Sequence, residues 1–373
     1  MFNIIFRRSN TFIKNGISNR TIKRFFLSNS YACTEAWNNR LKLPVLQKID
    51  VEDLYYQLDR NLQIGRKVSV LDIDLFANGI SADGHLEILE DILFKLRLNP
   101  ECGALLDSTN HAVVRWYWAL KQKNNLLNVL SERLTYGVFL DYYLTNLLID
   151  TYLKENDVLS ATKVAVLQML QEDCKHPITT PFALHACYKY LNSSEVWPPP
   201  PPEEEVDEDE QIKVRVLFLR NPYFDDHFDI IVPNHLVGKT MVLFGRELDG
   251  PIGVSSQIIG YSLYEKHNEN IDLLENVLNK KISVHSEALA KAKEYTQKKP
   301  KQVEASESKD DGEGKEDKNE EIEKAKGTVV KLIEEIEKLK IAKDSSLETE
   351  TAELVKKAVQ EYEDVEIKNQ LQV

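Results

Sequence analysis

The chain has 373 residues, with 47 Lys plus Arg against 60 Asp plus Glu, and a formal net charge of -13. This balance excludes a broad polybasic surface that would bind nucleic acid by phosphate neutralisation alone, but it leaves room for local basic faces. An apolar run long enough to span a membrane is missing, and the four cysteines, Cys33, Cys102, Cys174 and Cys187, are too far apart for a disulfide-built secreted domain.

Residues 1–30 read as a mitochondrial presequence. Arg7, Arg8, Lys14, Arg20, Lys23 and Arg24 all precede the first acidic residue, Glu35. Phe2, Ile5, Phe6, Phe12, Ile13 and Ile17 give this stretch an apolar face, while the arginines interrupt any core long enough for a secretory signal. Arg24-Phe25-Phe26-Leu27-Ser28 resembles a matrix-processing boundary. A basic arm that binds RNA is the alternative.

Residues 31–195 are predicted to form a solenoid of helical hairpins. Ile88, Leu89, Ile92, Leu93 and Leu96 mark one amphipathic helix, Val113, Val114, Tyr117 and Leu120 the next, and Leu126, Leu127, Leu130 and Leu134 its partner. The clearest pair spans residues 141–172. Asp141 caps its first helix, Asn156 and Asp157 interrupt it, and Ala161 and Ala165 let the second helix approach closely. Asp107, Asp141 and Thr179 each precede a helical pattern, at intervals of 34 and 38 residues, the spacing of a two-helix repeat.

Five prolines at 198–202 and seven carboxylates within 203–210 predict an extended, solvated loop over residues 196–211. Residues 212–219 alternate weakly and allow a short strand. The helical domain then continues to residue 296, with helices over 236–244 and 253–265 and a further pair beyond. Residues 297–321 are predicted to be a disordered charged linker, since 15 of the 24 residues from 298 to 321 are charged and none is aromatic. C-terminal helices occupy residues 322–373. Ile322, Val329, Leu332, Ile336 and Leu339 follow an a/d pattern for a helix or short coiled coil, and a last charged helix is expected over 351–363.

Chemistry is sparse along this chain. Gly238-Lys239-Thr240 lacks the upstream glycine of a phosphate-binding loop, Pro233 standing in its place, so the triplet reads as the exposed first turn of an ordinary helix. Cys174, His176, His185 and Cys187 are zinc-ligand types, but members of each pair stand about 200° apart on a helix. Cys102 and His111 lack a third catalytic member, and paired acids such as Asp72 and Asp74 do not specify acid/base chemistry without a cleft. No catalytic, cofactor-binding or metal residue is expected. Trp116, Tyr117 and Trp118 are the densest aromatic cluster: Tyr117 reads as core, one tryptophan as a seal between repeats, and stacking of Trp116 or Trp118 on RNA bases is the other reading.

Three ordered islands then carry a resemblance: FLSNSYACTEAW at 26–37, YGVFLDYYLTNLLIDTYLK at 136–154 and GVSSQIIGYSL at 253–263. The middle one resembles a pentatricopeptide repeat. Together they resemble the pentatricopeptide-like family of the mitochondrial small ribosomal subunit, over roughly residues 27–265. The resemblance implies an all-α pentatricopeptide-like solenoid in the matrix, mounted on the mitochondrial ribosome. It further implies contact with small-subunit rRNA and neighbouring ribosomal proteins and support of translation, without catalysis, cofactor, DNA, membrane span or small-molecule substrate. Where sequence-reading repeats place polar base-reading side chains, this chain has Leu147 and approximately Ile178, so one-base-per-repeat readout is not expected. Phosphate and shape contacts are expected instead, with Arg115, Lys121 and Lys123 as candidates. A free matrix RNA-binding protein acting on transcript stability or translation is the alternative.

Overall fold

The computed structural model describes residues 26–80, 86–198, 224–226, 228–298, 314–339 and 342–372. Residues 1–25 of the expected presequence, residues 199–211 of the expected loop, the strand expected over 212–219 and residues 299–313 of the expected linker lie outside the described residues. Among the described residues there are sixteen α-helices and almost no strand, so the fold is the expected all-α helical-repeat class.

The signals at residues 141–157 act as the sequence suggests. Helix α8 (Tyr142–Glu155) begins where the Asp141 carboxylate accepts the Leu144 amide at 2.8 Å, satisfying one of the donors a helix start leaves free. It stops at Asn156, which adopts a left-handed conformation at φ 61°. Asp157 at once caps α9 (Val158–Met169), accepting the Ser160 amide at 2.9 Å. Ala161 and Ala165 are fully buried where α9 lies on α8 and on α10 (Thr179–Asn192).

Upstream, α1 (Thr34–Asn39), α2 (Val51–Gln63), α3 (Val70–Gly79), α4 (Leu86–Arg97) and α5 (Asp107–Ala119) form the first layers. The partner helix expected through Leu134 is instead two pieces, α6 (Lys123–Ser131) and α7 (Arg133–Tyr136). Glu132 between them has ψ 60°, outside the helical range, and Leu134 is left exposed on the short second piece.

Downstream, α11 (Pro233–Arg246) and α12 (Pro251–Leu263) pack at glycine contacts. A Cβ at Gly238 would stand 2.7 Å from the Gly260 carbonyl oxygen, and one at Gly260 would stand 2.7 Å from that of Gly238. Two apolar cores meet at α12: Ile259 and Leu263 belong to the main one, while Ile258 faces a smaller one built by α13 (His267–Lys280), α14 (Ser286–Gln297) and α15 (Gly314–Lys338).

The C-terminal part differs from the sequence expectation. Helix α15 starts at Gly314, inside the stretch expected to be linker, and enters the smaller core only from Val329 onward. Its buried stripe is Val329, Ile333 and Ile336, while Ile322 and Leu339 of the a/d pattern are exposed. Packing on α13 and α14 together selects a different face from a two-helix seam. Helix α16 runs over Leu347–Gln372, beyond the expected 351–363 at both ends, and returns along α10. Its return is fastened by β1 (Val284–His285), paired in parallel with β2 (Ala342–Lys343). Buried His285 adds to this, holding Ser255 Oγ at 3.0 Å and Glu350 Oε2 at 2.9 Å.

Candidate functional site

The five residues singled out for RNA contact lie on α5, in the turn after it and at the start of α6, and the fold uses them unequally. Arg115 is 8 % exposed. Its Nη1 donates to the Ala32 carbonyl at 2.9 Å and its Nη2 to the Tyr143 hydroxyl at 3.0 Å, so the guanidinium points into the protein. Trp116 donates its indole N–H to the Ala77 carbonyl at 3.2 Å and meets the Trp37 ring edge-on at 6.3 Å, sealing α5 against α3 and α1. This is the tryptophan that closes a seam between layers. Tyr117 is core, as expected, its hydroxyl donating to Glu90.

The remaining three face outward. Trp118 is partly buried against the core, Lys121 is exposed in a left-handed turn at φ 56°, and Lys123 is half-buried and paired with Asp157, the cap of α9. Lys121, Lys123 and part of Trp118 thus stay accessible within six residues of chain, while Arg115 and Trp116 are engaged by other layers. Leu147 and Ile178 are both buried, so neither reaches a base.

What fills the inner side of α5 is the segment 26–33. Leu27 and Tyr31 are buried, and the Tyr31 and Tyr143 rings stack with centroids 4.9 Å apart. Asn146 donates to the Tyr31 hydroxyl at 3.2 Å, and that hydroxyl donates to Glu366 of α16. Burial, with Glu366 adding to it, pushes the Tyr31 phenol far above its usual range, so it stays protonated and acts as a donor. The Ser28 amide donates to Glu363 at 2.7 Å, and Glu366 also pairs with His176 at 2.7 Å. The strap is therefore held by α5, α8 and α16 together.

Arg40 closes the outer end of this cluster. Its guanidinium carbon lies 3.6 Å above the Trp37 ring, and it donates to the carbonyls of Asn78 at 3.0 Å and Ile80 at 3.1 Å. Burial, with Arg115 nearby, brings its pKa down to about 10. Sequence reasoning did not single out Tyr31 or Arg40, because their partners lie in other layers. The signal available was the island at 26–37, too aromatic for a leader that is discarded.

The rejected motifs have structural roles. Gly238-Lys239-Thr240 is mid-helix and buried, not an exposed first turn: Lys239 pairs with Asp226 at 3.0 Å and the Thr240 hydroxyl donates to the Leu236 carbonyl at 2.7 Å. The glycine is there for contact with α12. Burial raises the thiols of Cys174 and Cys187 to about 12, so both are neutral. His185 and His176 point to different partners, Thr351 at 3.1 Å and Glu366, and no group of three metal-ligand residues exists among the described residues. His111 pairs with Asp141 at 2.8 Å, tying α5 to the cap of α8. Among the described residues, no helix is long and apolar enough to cross a membrane. A family model described as mitochondrial 28S ribosomal protein S27 matches residues 1–373.

Proposed function

We propose, from the premise that the chain belongs to the mitochondrial 28S ribosomal protein S27 family, that the solenoid works by holding small-subunit rRNA and neighbouring ribosomal proteins in place, without catalysing a reaction. As a member of that family it is a structural protein of the mitochondrial small ribosomal subunit, located with the ribosome in the matrix. What supports a holding role is the use made of its polar and aromatic residues. Arg115, Trp116, Arg40 and Tyr31 are spent on joining helical layers, which gives a rigid body.

In this reading RNA is met at the corner formed by Lys121, Lys123 and Trp118. Ammonium groups there neutralise phosphates without reading a base. Arg115 and Trp116 serve that corner from behind, by fixing α5. Sedimentation of mitochondrial extracts tests the assignment. The chain is expected to co-migrate in stoichiometric amount with the small subunit and to remain there when messenger RNA is removed. A mainly free pool, or binding that depends on messenger RNA, would instead indicate a transcript factor.

A further inference from the structure

Phe26 is partly buried against the main core. Its ring meets Phe182 at 5.4 Å and His185 at 5.3 Å between centroids, both edge-on. Its amide N–H donates to Asp150 Oδ1 at 3.3 Å. Asp150 lies on α8 with its side chain 2 % exposed, and Lys154 one turn later pairs with Oδ2 at 2.5 Å. A buried carboxylate needs strong donors, and an amide contact beyond about 3.2 Å is a weak one. Burial raises the pKa of Asp150, although Lys154 and the backbone amides of Leu27 and Phe26 act to lower it.

We propose that the mature chain begins at Phe26 and that its α-ammonium docks on Asp150, as a second cation on the buried carboxylate that Lys154 already holds. A matrix endoprotease hydrolyses the Phe25–Phe26 peptide bond: water adds, Phe25 leaves as the C-terminal carboxylate of the leader, and the Phe26 nitrogen takes up a proton. An α-amine titrates near pH 8, and an adjoining carboxylate favours its charged form. One amide donor is thereby replaced by three donors carrying a full charge, and charge-assisted bonds are roughly twice as strong as neutral ones.

A cavity of about 520 Å³ adjoins the pair, and Lys189, Lys356 and Glu348 line it. The two lysines oppose the new charge and the glutamate supports it, but Asp150 decides, being the group within bonding distance of the nitrogen. The position of cleavage is bracketed from both sides. Cutting further downstream would remove the ring from its niche between Phe182 and His185, and retaining the leader would leave a neutral amide against a buried carboxylate. The inference rests on the presequence reading, whose expected extent of residues 1–30 it shortens to 1–25, and is independent of the family assignment.

The test is the N-terminus of the protein as it exists in purified mitochondrial small subunits. Free α-amines are labelled before digestion, and the labelled N-terminal peptide is identified by mass spectrometry. A peptide starting at Phe26 is expected; a start at any other residue overturns the proposal while leaving co-sedimentation with the subunit untouched. A second measurement reads the ion pair itself. In the chain starting at Phe26, acetylating the α-amine is expected to lower Tm by about 3 °C. In the Asp150→Asn chain the same acetylation is expected to change Tm little, and an equal drop in both chains would overturn the pairing. If the variant fails to fold, the wild-type comparison still decides, since no drop on acetylation would refute the docked ammonium.

Discussion

The Tyr143 hydroxyl donates to the backbone carbonyl of Tyr31 at 2.6 Å, across 112 residues of sequence. The same hydroxyl accepts from Arg115, whose other nitrogen holds the Ala32 carbonyl, so three elements share one buried network. Replacing Arg115 with Met keeps the side-chain length but strips both donors. The expected cost is about 2–3 kcal/mol, and for Tyr143→Phe about 1 kcal/mol, read as a shift in urea midpoint at constant slope. A midpoint that does not move in Arg115→Met would mean the guanidinium is not structural.

Two glycines inside helices are expected to respond to alanine in opposite directions. At Gly260 the new methyl would stand 2.7 Å from the Gly238 carbonyl oxygen and 2.8 Å from a Val242 methyl, with backbone on one side unable to yield. Separating α11 from α12 should cost about 1–3 kcal/mol. At Gly327, within α15, a Cβ meets nothing within 4 Å, so alanine should stabilise by up to about 1 kcal/mol through backbone entropy. Thermal denaturation of both variants checks this, and a destabilised Gly327→Ala would argue that α15 is not a continuous helix there.

Acid sensitivity should centre on His185. It is 2 % exposed, and burial, with Lys189 and Lys356 adding to it, lowers its pKa to about 3. The Thr351 hydroxyl donates to the Leu347 carbonyl at 2.8 Å, so at 3.1 Å it accepts the Nδ1 proton of a neutral ring. In the unfolded chain the ring takes up a proton near pH 6.5. Stability from this group is therefore complete above about pH 6.5 and is lost progressively as pH falls toward the folded pKa. The slope is about 1.4 kcal/mol per pH unit. His185→Gln is expected to flatten the stability profile between about pH 6 and 4. An unchanged slope in urea titrations over that range would place the acid-sensitive group elsewhere.

Local signals were legible where local physics decides. The Asp141 cap, the Asn156–Asp157 break and the buried Ala161 and Ala165 follow from neighbours within a few residues, and the structure has each of them. Leu134 and the a/d residues Ile322 and Leu339 misled because periodicity shows that a face is apolar, not which neighbour covers it. The candidate site was half-legible for the same reason. Arg115 and Trp116 look like RNA contacts until Ala32 of the strap at 26–33 takes the guanidinium, across 83 residues, and Ala77 and Trp37 take the indole. No spacing rule reports a contact of that range. The return of α16 onto α10 is illegible too, since a charged helix after a linker looks free until a partner surface exists.

The corner at the end of α5 gives the last prediction, and the two lysines there should behave differently. Lys121 is exposed in its turn, whereas Lys123 is paired with Asp157 and thus helps hold the start of α9. Lys121→Glu should leave Tm within about 1 °C, as surface substitutions do, and lower rRNA crosslinking at this corner. Lys123→Glu should lower crosslinking and also destabilise, because a carboxylate would then face Asp157. Its loss is expected to be about 1–2 kcal/mol, more than an exposed pair would give, since Asp157 is largely shielded with its side chain 19 % exposed. Lys123→Gln separates the two effects: it removes the charge that RNA would meet without adding repulsion, so stability should recover while crosslinking stays low. Binding of an rRNA fragment measured against salt gives an independent reading. Each phosphate contact removed should reduce the logarithmic salt slope by about 0.7–0.9. If both charge reversals leave crosslinking and slope unchanged, the corner is a solvated edge that takes no part in meeting RNA.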